Sequence, residues 1–260
     1  MQKLTVVKIG GNIIDDKERL ADFLLSFSRL QGNKILIHGG GKVATEMGTK
    51  LGIKANYHNG RRITDKETLE LVTMVYGGLI NKTIVAQLQS IGANAIGLTG
   101  ADGKIMSAQK RPVKNIDYGF VGDMNKDSIN TGFLNSLLNT GALPVIAPLT
   151  YNEGTLLNTN ADNIANEIAK AMSAIMEVQL VFCFEQKGVL LDIQDPASLI
   201  KQINKQDFED LKAKQVITDG MIPKLENAFE AINSGVKNVK IGQAEELEEL
   251  VNGTKGTTIS

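Results

Sequence analysis

Short runs of aliphatic residues alternate along this chain with longer stretches in which apolar positions recur every three to four residues. Leu4 to Ile9, Lys34 to His38, Ala95 to Leu98, Leu143 to Ala147, Val178 to Phe184 and Asn238 to Ile241 read as strands. Gly, Asn or charged residues bound each run, which suits central strands buried on both faces. Between them the period lengthens. Thr64-Asp65-Lys66-Glu67 has the spacing of a capping box, and Leu69, Val72, Val75, Leu79 and Leu88 fall on or near one face of a helix that runs to Ser90. Val43 to Leu51 continues a second helical pattern. Asn160-Ala161-Asp162-Asn163 opens a third, with Ile164, Ile168 and Met172 as its buried stripe and Asp162 in its first turn. Ile222, Leu225, Phe229 and Ile232 mark a fourth.

Strands alternating with helices predict an α/β fold around a mainly parallel sheet. Lys104 to Asp123, with turn formers at Arg111-Pro112 and Tyr118-Gly119, predicts a hairpin beside that sheet. No repeat or Pro-rich linker separates the elements, so any division is compact. A boundary near Ala174 gives an N-terminal lobe, residues 1–174, and a C-terminal lobe, residues 175–260.

At 260 residues and 42% hydrophobic content the chain is long enough to bury a large core. Lys plus Arg number 28 and Asp plus Glu 29, a net charge of −1, and no basic block offers itself to nucleic acid or an anionic membrane. Aromatic residues are 5% and Trp is absent, leaving little for stacking on bases. Small molecules and further copies of the chain are the expected partners. One Cys, Cys183 in an apolar run, excludes an internal disulfide, and with two His it excludes a Cys/His metal cluster. No charged-then-apolar leader precedes the first strand, and no apolar run approaches the ~18 residues of a membrane span. A cytoplasmic location is expected.

The chemistry gathers at glycines. Val6-Val7-Lys8-Ile9-Gly10-Gly11 carries a cation in a strand that runs into two glycines, where backbone N–H groups can face an anion. Taken alone, Lys8 fits a phosphate ligand or an edge-strand lysine equally. His38-Gly39-Gly40-Gly41-Lys42 follows a strand and opens a helix, a second anion-binding arrangement. His-Gly-Gly-Gly also builds oxyanion holes in hydrolases, but no Gly-x-Ser-x-Gly elbow occurs. P-loop and Gly-x-Gly-x-x-Gly patterns are absent as well, so a nucleotide would bind by another design. His38 reads as a packing residue at the strand end. Gly60-Arg61-Arg62-Ile63-Thr64 places two guanidinium groups before a helix, either as a carboxylate grip or as a solvated pair. Asn158 to Asp162 adds amides and a carboxylate at a helix start. Thr218-Asp219-Gly220-Met221-Ile222-Pro223-Lys224 puts a cation near another helix start, where it opposes the dipole unless an anion offsets it.

In this order, these segments and the closing Gly256-Thr257-Thr258-Ile259 resemble the amino acid kinase family over nearly the whole chain. The resemblance is greatest to members that phosphorylate N-acetyl-L-glutamate in arginine biosynthesis. It implies a three-layer αβα sandwich, an acyl-glutamate site and dimerisation in the N-terminal lobe, and ATP with Mg²⁺ in the C-terminal lobe. By resemblance, Lys8 and Lys224 neutralise the moving phosphoryl group, Asp162 orients both, and Gly11 receives transferring oxygens. Gly40, Gly41, Arg62, Asn158 and Asn160 would hold the acyl-glutamate. Glu185, Gln186, Lys187, Gly188, Val189 and Leu190, with Val216, Ile217 and Thr218, would hold the nucleotide. No protein metal ligand is implied.

Three departures from the family pattern stand out. Glu185-Gln186-Lys187 replaces the family's usual residues after the nucleotide strand. Arg61 replaces an aliphatic residue, adding a cation close to the acyl-glutamate site; either the acyl group carries its own carboxylate, as in N-succinyl-L-glutamate, or Arg61 faces solvent. The chain also begins at its first strand, without the helix that joins dimers into hexamers in arginine-inhibited relatives, which implies an arginine-insensitive homodimer. The rival readings are an aminoadipate-side acyl-phosphate kinase and a catalytically silent nucleotide or amino-acid sensor on the same fold.

Overall fold

The computed structural model describes residues 1–125, 127–192, 194–214, 216–217 and 221–260. Eight strands form one sheet: β1 (Lys3–Ile9), β2 (Asn33–His38), β3 (Ala95–Leu98), β4 (Leu143–Ile146), β5 (Glu177–Phe184), β6 (Gln202–Ile203), β7 (Asn238–Gln243) and β8 (Thr257–Ile259). Their order is β6-β8-β7-β5-β1-β2-β4-β3. All neighbours are parallel except β7 and β8, and β6 runs with β8. The six strands expected from the sequence are all present. β6 and β8, too short to carry a pattern, were not expected.

Nine helices cover the two faces among the described residues: α1 (Gly11–Ile14), α2 (Lys17–Arg29), α3 (Gly41–Lys50), α4 (Lys66–Ser90), α5 (Thr131–Asn139), α6 (Ala161–Met172), α7 (Lys205–Ala213), α8 (Ile222–Asn233) and α9 (Leu247–Asn252). On one face Val7, Ile9, Leu36, Val145 and Val181 pack against Phe23 and Phe27 of α2, Leu71, Ile84 and Leu88 of α4, and Leu247 of α9. On the other, Leu4, Val6, Ile37, Leu180 and Ile241 pack against Leu134 of α5, Ile164 and Ile168 of α6, and Leu225 of α8. This is the expected three-layer αβα sandwich. Each fully buried aliphatic side chain contributes roughly 1.5–3 kcal/mol, and strand alternation decides which layer it joins. Lys8 shares the face of Leu4 and Val6, and so lies under α6.

Two helix details correct the sequence reading. The cap of α4 is Asp65, whose carboxylate accepts from the Thr68 N–H at 2.8 Å; the Thr64 hydroxyl instead accepts from the Asn158 amide at 2.9 Å. The middle of α4, Thr73–Ile80, is wound as a π-helix. Its wider turn adds a residue to the spacing, so Ile80 points inward and Leu79, expected in the core, is 51% exposed. By length and composition α4 could cross a membrane, although no single uninterrupted apolar run of that length exists in it. Here its inner face is part of the core.

Candidate active site

Because β1 and β2 are parallel neighbours with Ile9 opposite His38, the two glycine turns that follow them emerge side by side. They lie beyond the carboxyl ends of the strands, where open α/β sheets bind ligands. Gly39 N–H donates to the Ile9 carbonyl at 3.1 Å, locking one turn to the other. Gly40 has φ +148°, and a Cβ there would collide with Ile80 Cδ1 and approach the Tyr76 ring at 3.2 Å. Only glycine fits. The side chains beneath are inert at neutral pH. His38 is fully buried, its Nδ1 2.8 Å from the Gly39 carbonyl and its Nε2 facing the Asn81 amide nitrogen at 3.2 Å. Those partners assign the Nδ1–H tautomer, and burial pushes its pKa down to about 4. Burial likewise pushes the Cys183 thiol up to about 12.

Above the turns two lysines converge. Lys8 Nζ lies 2.7 Å from Asp162 Oδ1, at an angle too oblique to satisfy that oxygen as a hydrogen bond. Asp162 is held there by its helix: Asn160 Oδ1 accepts from the Asp162 and Asn163 N–H groups, capping α6 at its start. Lys224 arrives from the first turn of α8. Its Nζ sits 4.0 Å from the centre of the Phe184 ring, with Lys8 Nζ 5.3 Å away on the same ring. Burial lowers the Lys224 pKa, Asp162 works against that shift and Lys8 adds to it. Two ammonium groups on one ring, with a single carboxylate that contacts Lys8, leave an excess of positive charge, which suits a polyanion. Phe184, their common platform, was missed in the sequence because its role exists only in three dimensions.

On one side of Lys8 opens a cavity of about 310 Å³, lined by the glycine turns, Arg61, Arg62, Arg111 and residues 158–163. Arg62 is 8% exposed. Its Nη2 donates to the Gly41 carbonyl, Thr45 Oγ1 and Tyr57 Oη at 2.5–2.8 Å, while Nη1 is buried without a partner. A buried guanidinium with one nitrogen left unpaired, in the wall of a cavity, is the complement of a carboxylate. Tyr57 and Thr45, which orient it, carry no motif. Asn158 lines the cavity with its amide nitrogen held by Thr64. Asn160 lines it too, but its side-chain oxygen serves the α6 cap.

On the other side, sharing Gly10 and Gly11, lies a cleft of about 300 Å³ that includes Lys224, Phe184, Glu185, Gln186 and Gly188. Asn12 closes one edge through a short hydrogen bond to Glu185. A further hollow of about 400 Å³ continues past Gln186 and Gly188 to Val189, Leu190, Val216 and Ile217. Of the nine residues expected along the nucleotide, seven thus line one continuous trough. Lys187 lines neither part of it, and Thr218 lies outside the described residues. No group of three or more His, Cys, Asp or Glu able to hold a metal occurs among the described residues.

A parallel αβα sheet with glycine turns and paired ammonium groups between two cavities defines a phosphoryl-transfer type of α/β enzyme. The chain belongs to the amino acid kinase family, whose model matches residues 3–243. It is 59% identical over 257 residues to a protein of Cytophaga hutchinsonii named acetylglutamate kinase, covering 98% of this chain and 97% of that one. Among solved structures, smu.665 of Streptococcus mutans UA159 superposes with a TM-score of 0.78 at 28% identity, over 99% and 98% of the two chains. The carbamate kinase of Giardia lamblia bound to AMP-PNP superposes at 0.72 and 14% identity, over 99% and 98%, sharing the fold.

Proposed function

We propose that this chain transfers the γ-phosphoryl group of ATP to the side-chain carboxylate of N-acetyl-L-glutamate, the acyl-phosphate-forming kinase step of arginine biosynthesis. The relatives' name supports the substrate, and the convergence of Lys8, Asp162 and Lys224 between two cavities carries the chemistry. The acceptor is a carboxylate, ionised at neutral pH, so it needs no general base. Its oxygen bonds to the γ-phosphorus as the bond from that phosphorus to the β,γ-bridging oxygen breaks, and ADP leaves with the electron pair. Positioning and charge neutralisation then account for the catalysis.

In this reading the Arg62 guanidinium takes the α-carboxylate and Asn158 the acyl amide. The Gly40 and Gly41 turn holds the reacting carboxylate. Lys8 stabilises the phosphoryl oxygens from the acid side and Lys224 from the nucleotide side, with the Gly11 N–H between them. Asp162 fixes both ammonium groups. The trough at 185–190 and 216–218 takes the nucleotide, and Mg²⁺ would come with the ATP phosphates. Residues 1–174 thereby form the acid-binding lobe and 175–260 the nucleotide lobe. The outer face of α4, Ile91 just after it and the edge strand β3 expose Met74, Leu79, Ile91 and Ile96, an apolar margin suited to a homodimer. The test is hydroxylamine trapping of the acyl phosphate with ATP, Mg²⁺ and N-acetyl-L-glutamate. Bound nucleotide without any hydroxamate would favour a silent sensor instead.

A further inference from the structure

The cavity that holds Arg62 does not end at Arg61 and Arg111. Both residues also line a neighbouring cavity of about 410 Å³, together with His58, Lys114, Tyr118 and Asp123. The hairpin of Asn56–His58 and Arg61–Ile63 forms the wall between them. Its register pairs Tyr57 with Arg62 and His58 with Arg61, so alternation sends the first pair to the acid cavity and the second toward the adjoining one. Arg111 stands at the same passage. Its Nε and Nη2 donate to Asp123 Oδ1 at 3.0 and 2.5 Å, its guanidinium lies 5.2 Å over the Tyr118 ring, and its Nη1 is buried without a partner. Among the described residues, neither Arg61 nor Lys114 forms an ion pair.

Three cations against one carboxylate, Asp123, are more than N-acetyl-L-glutamate can answer. Its two carboxylates are already taken, one by Arg62 and one by the glycine turns, and its acyl group ends in a methyl. Resting on the acylglutamate kinase reading above, we propose that the preferred acyl group itself ends in a carboxylate, a dicarboxylic acyl of the succinyl type. Such a group places an anion about 3 Å beyond the position of the acetyl methyl, at the passage framed by Arg61 and Arg111. The same chemistry disfavours a merely longer acyl chain, because the two residues common to both cavities are arginines.

The test measures ADP release with ATP, Mg²⁺ and, in parallel, N-succinyl-, N-butyryl- and N-acetyl-L-glutamate. Butyryl has the four-carbon length without the charge. A charge-assisted contact raises kcat/KM for the succinyl compound about 10- to 100-fold over both others. In Arg61→Gln, an exposed position whose change leaves the fold intact, the succinyl-to-acetyl ratio falls by about 10-fold or more. Butyryl matching succinyl, acetyl equalling or exceeding it, or a ratio unmoved by Arg61→Gln overturns the proposal while the kinase reading stands. Turnover of none of the three acids overturns the kinase reading itself.

Discussion

Replacing Lys8 with methionine keeps the length of the side chain and removes its charge. At 2.7 Å from Asp162, an effective dielectric near 20 gives a gross attraction of roughly 6 kcal/mol. Most of it is offset by the desolvation of both ions, and Asp162 is a quarter exposed, so the expected loss of stability is only about 1–2 kcal/mol. Catalysis loses more. A preorganised group aimed at charge that develops in the transition state contributes on the order of 10²- to 10³-fold. The variant also leaves the Asp162 carboxylate uncovered where phosphoryl oxygens pass, which puts the loss toward the upper end. Steady-state ADP release should therefore show kcat and kcat/KM for the acid falling together by at least about 10²-fold, the mark of an interaction made in the transition state. Adding Asp162→Asn should recover stability, since no unpaired carboxylate remains, without recovering turnover. A folded Lys8→Met enzyme that keeps more than a tenth of the wild-type kcat would refute the role given to this lysine.

Lys224 must be protonated to neutralise a phosphoryl group, and burial lowers its pKa, so kcat should decline on the alkaline side below pH 10.5. Asp162→Asn removes the one influence that raises this pKa, moving the decline to lower pH; an unmoved limb contradicts the electrostatic coupling of Asp162 to Lys224. His38, neutral in the fold down to a pKa of about 4 against the ordinary 6.5, binds fewer protons than in the unfolded chain between those values. Stability from this residue is thus complete above pH 6.5 and lost as the pH falls toward 4, by about 1.4 kcal/mol per unit. Urea melts of wild type and His38→Gln should diverge over that window, and a constant difference would refute it. Leu79→Arg places a charge on the exposed apolar margin of α4 and should convert the proposed dimer into a monomer by light scattering; an unchanged mass for the variant refutes that interface.

The alternation of short apolar runs with helical periods was enough to find six strands and the helices that start at Asn160 and after Asp65, because strand and helix periods are local properties. It was less able to say which side of a helix is buried once the period itself changes. Leu79 shows this: its spacing from Val72 and Val75 is correct for an α-helix, but the π-helical turn rotates it outward. Thr64 fits a capping box by spacing, yet its hydroxyl has a partner 94 residues away in Asn158.

The sequence by itself determined the kinds of chemistry available. Glycine turns after strands, two lysines, one first-turn aspartate and an arginine pair are all readable as residue types, because backbone freedom and charge belong to the residues. Only the tertiary structure decided what these groups do to one another. Parallel pairing with Ile9 opposite His38 brings the two turns together, strand alternation sends Lys8 to the face beneath α6, and packing sets Lys224 and Lys8 over a single phenylalanine. Arg111 shows the limit most plainly. Nothing in Lys110-Arg111-Pro112 hints at a substrate, and the residue gains meaning only where the fold brings it to the same two cavities as Arg61. Electrostatic interactions depend on distance and burial, and a sequence fixes neither until the sheet has its register.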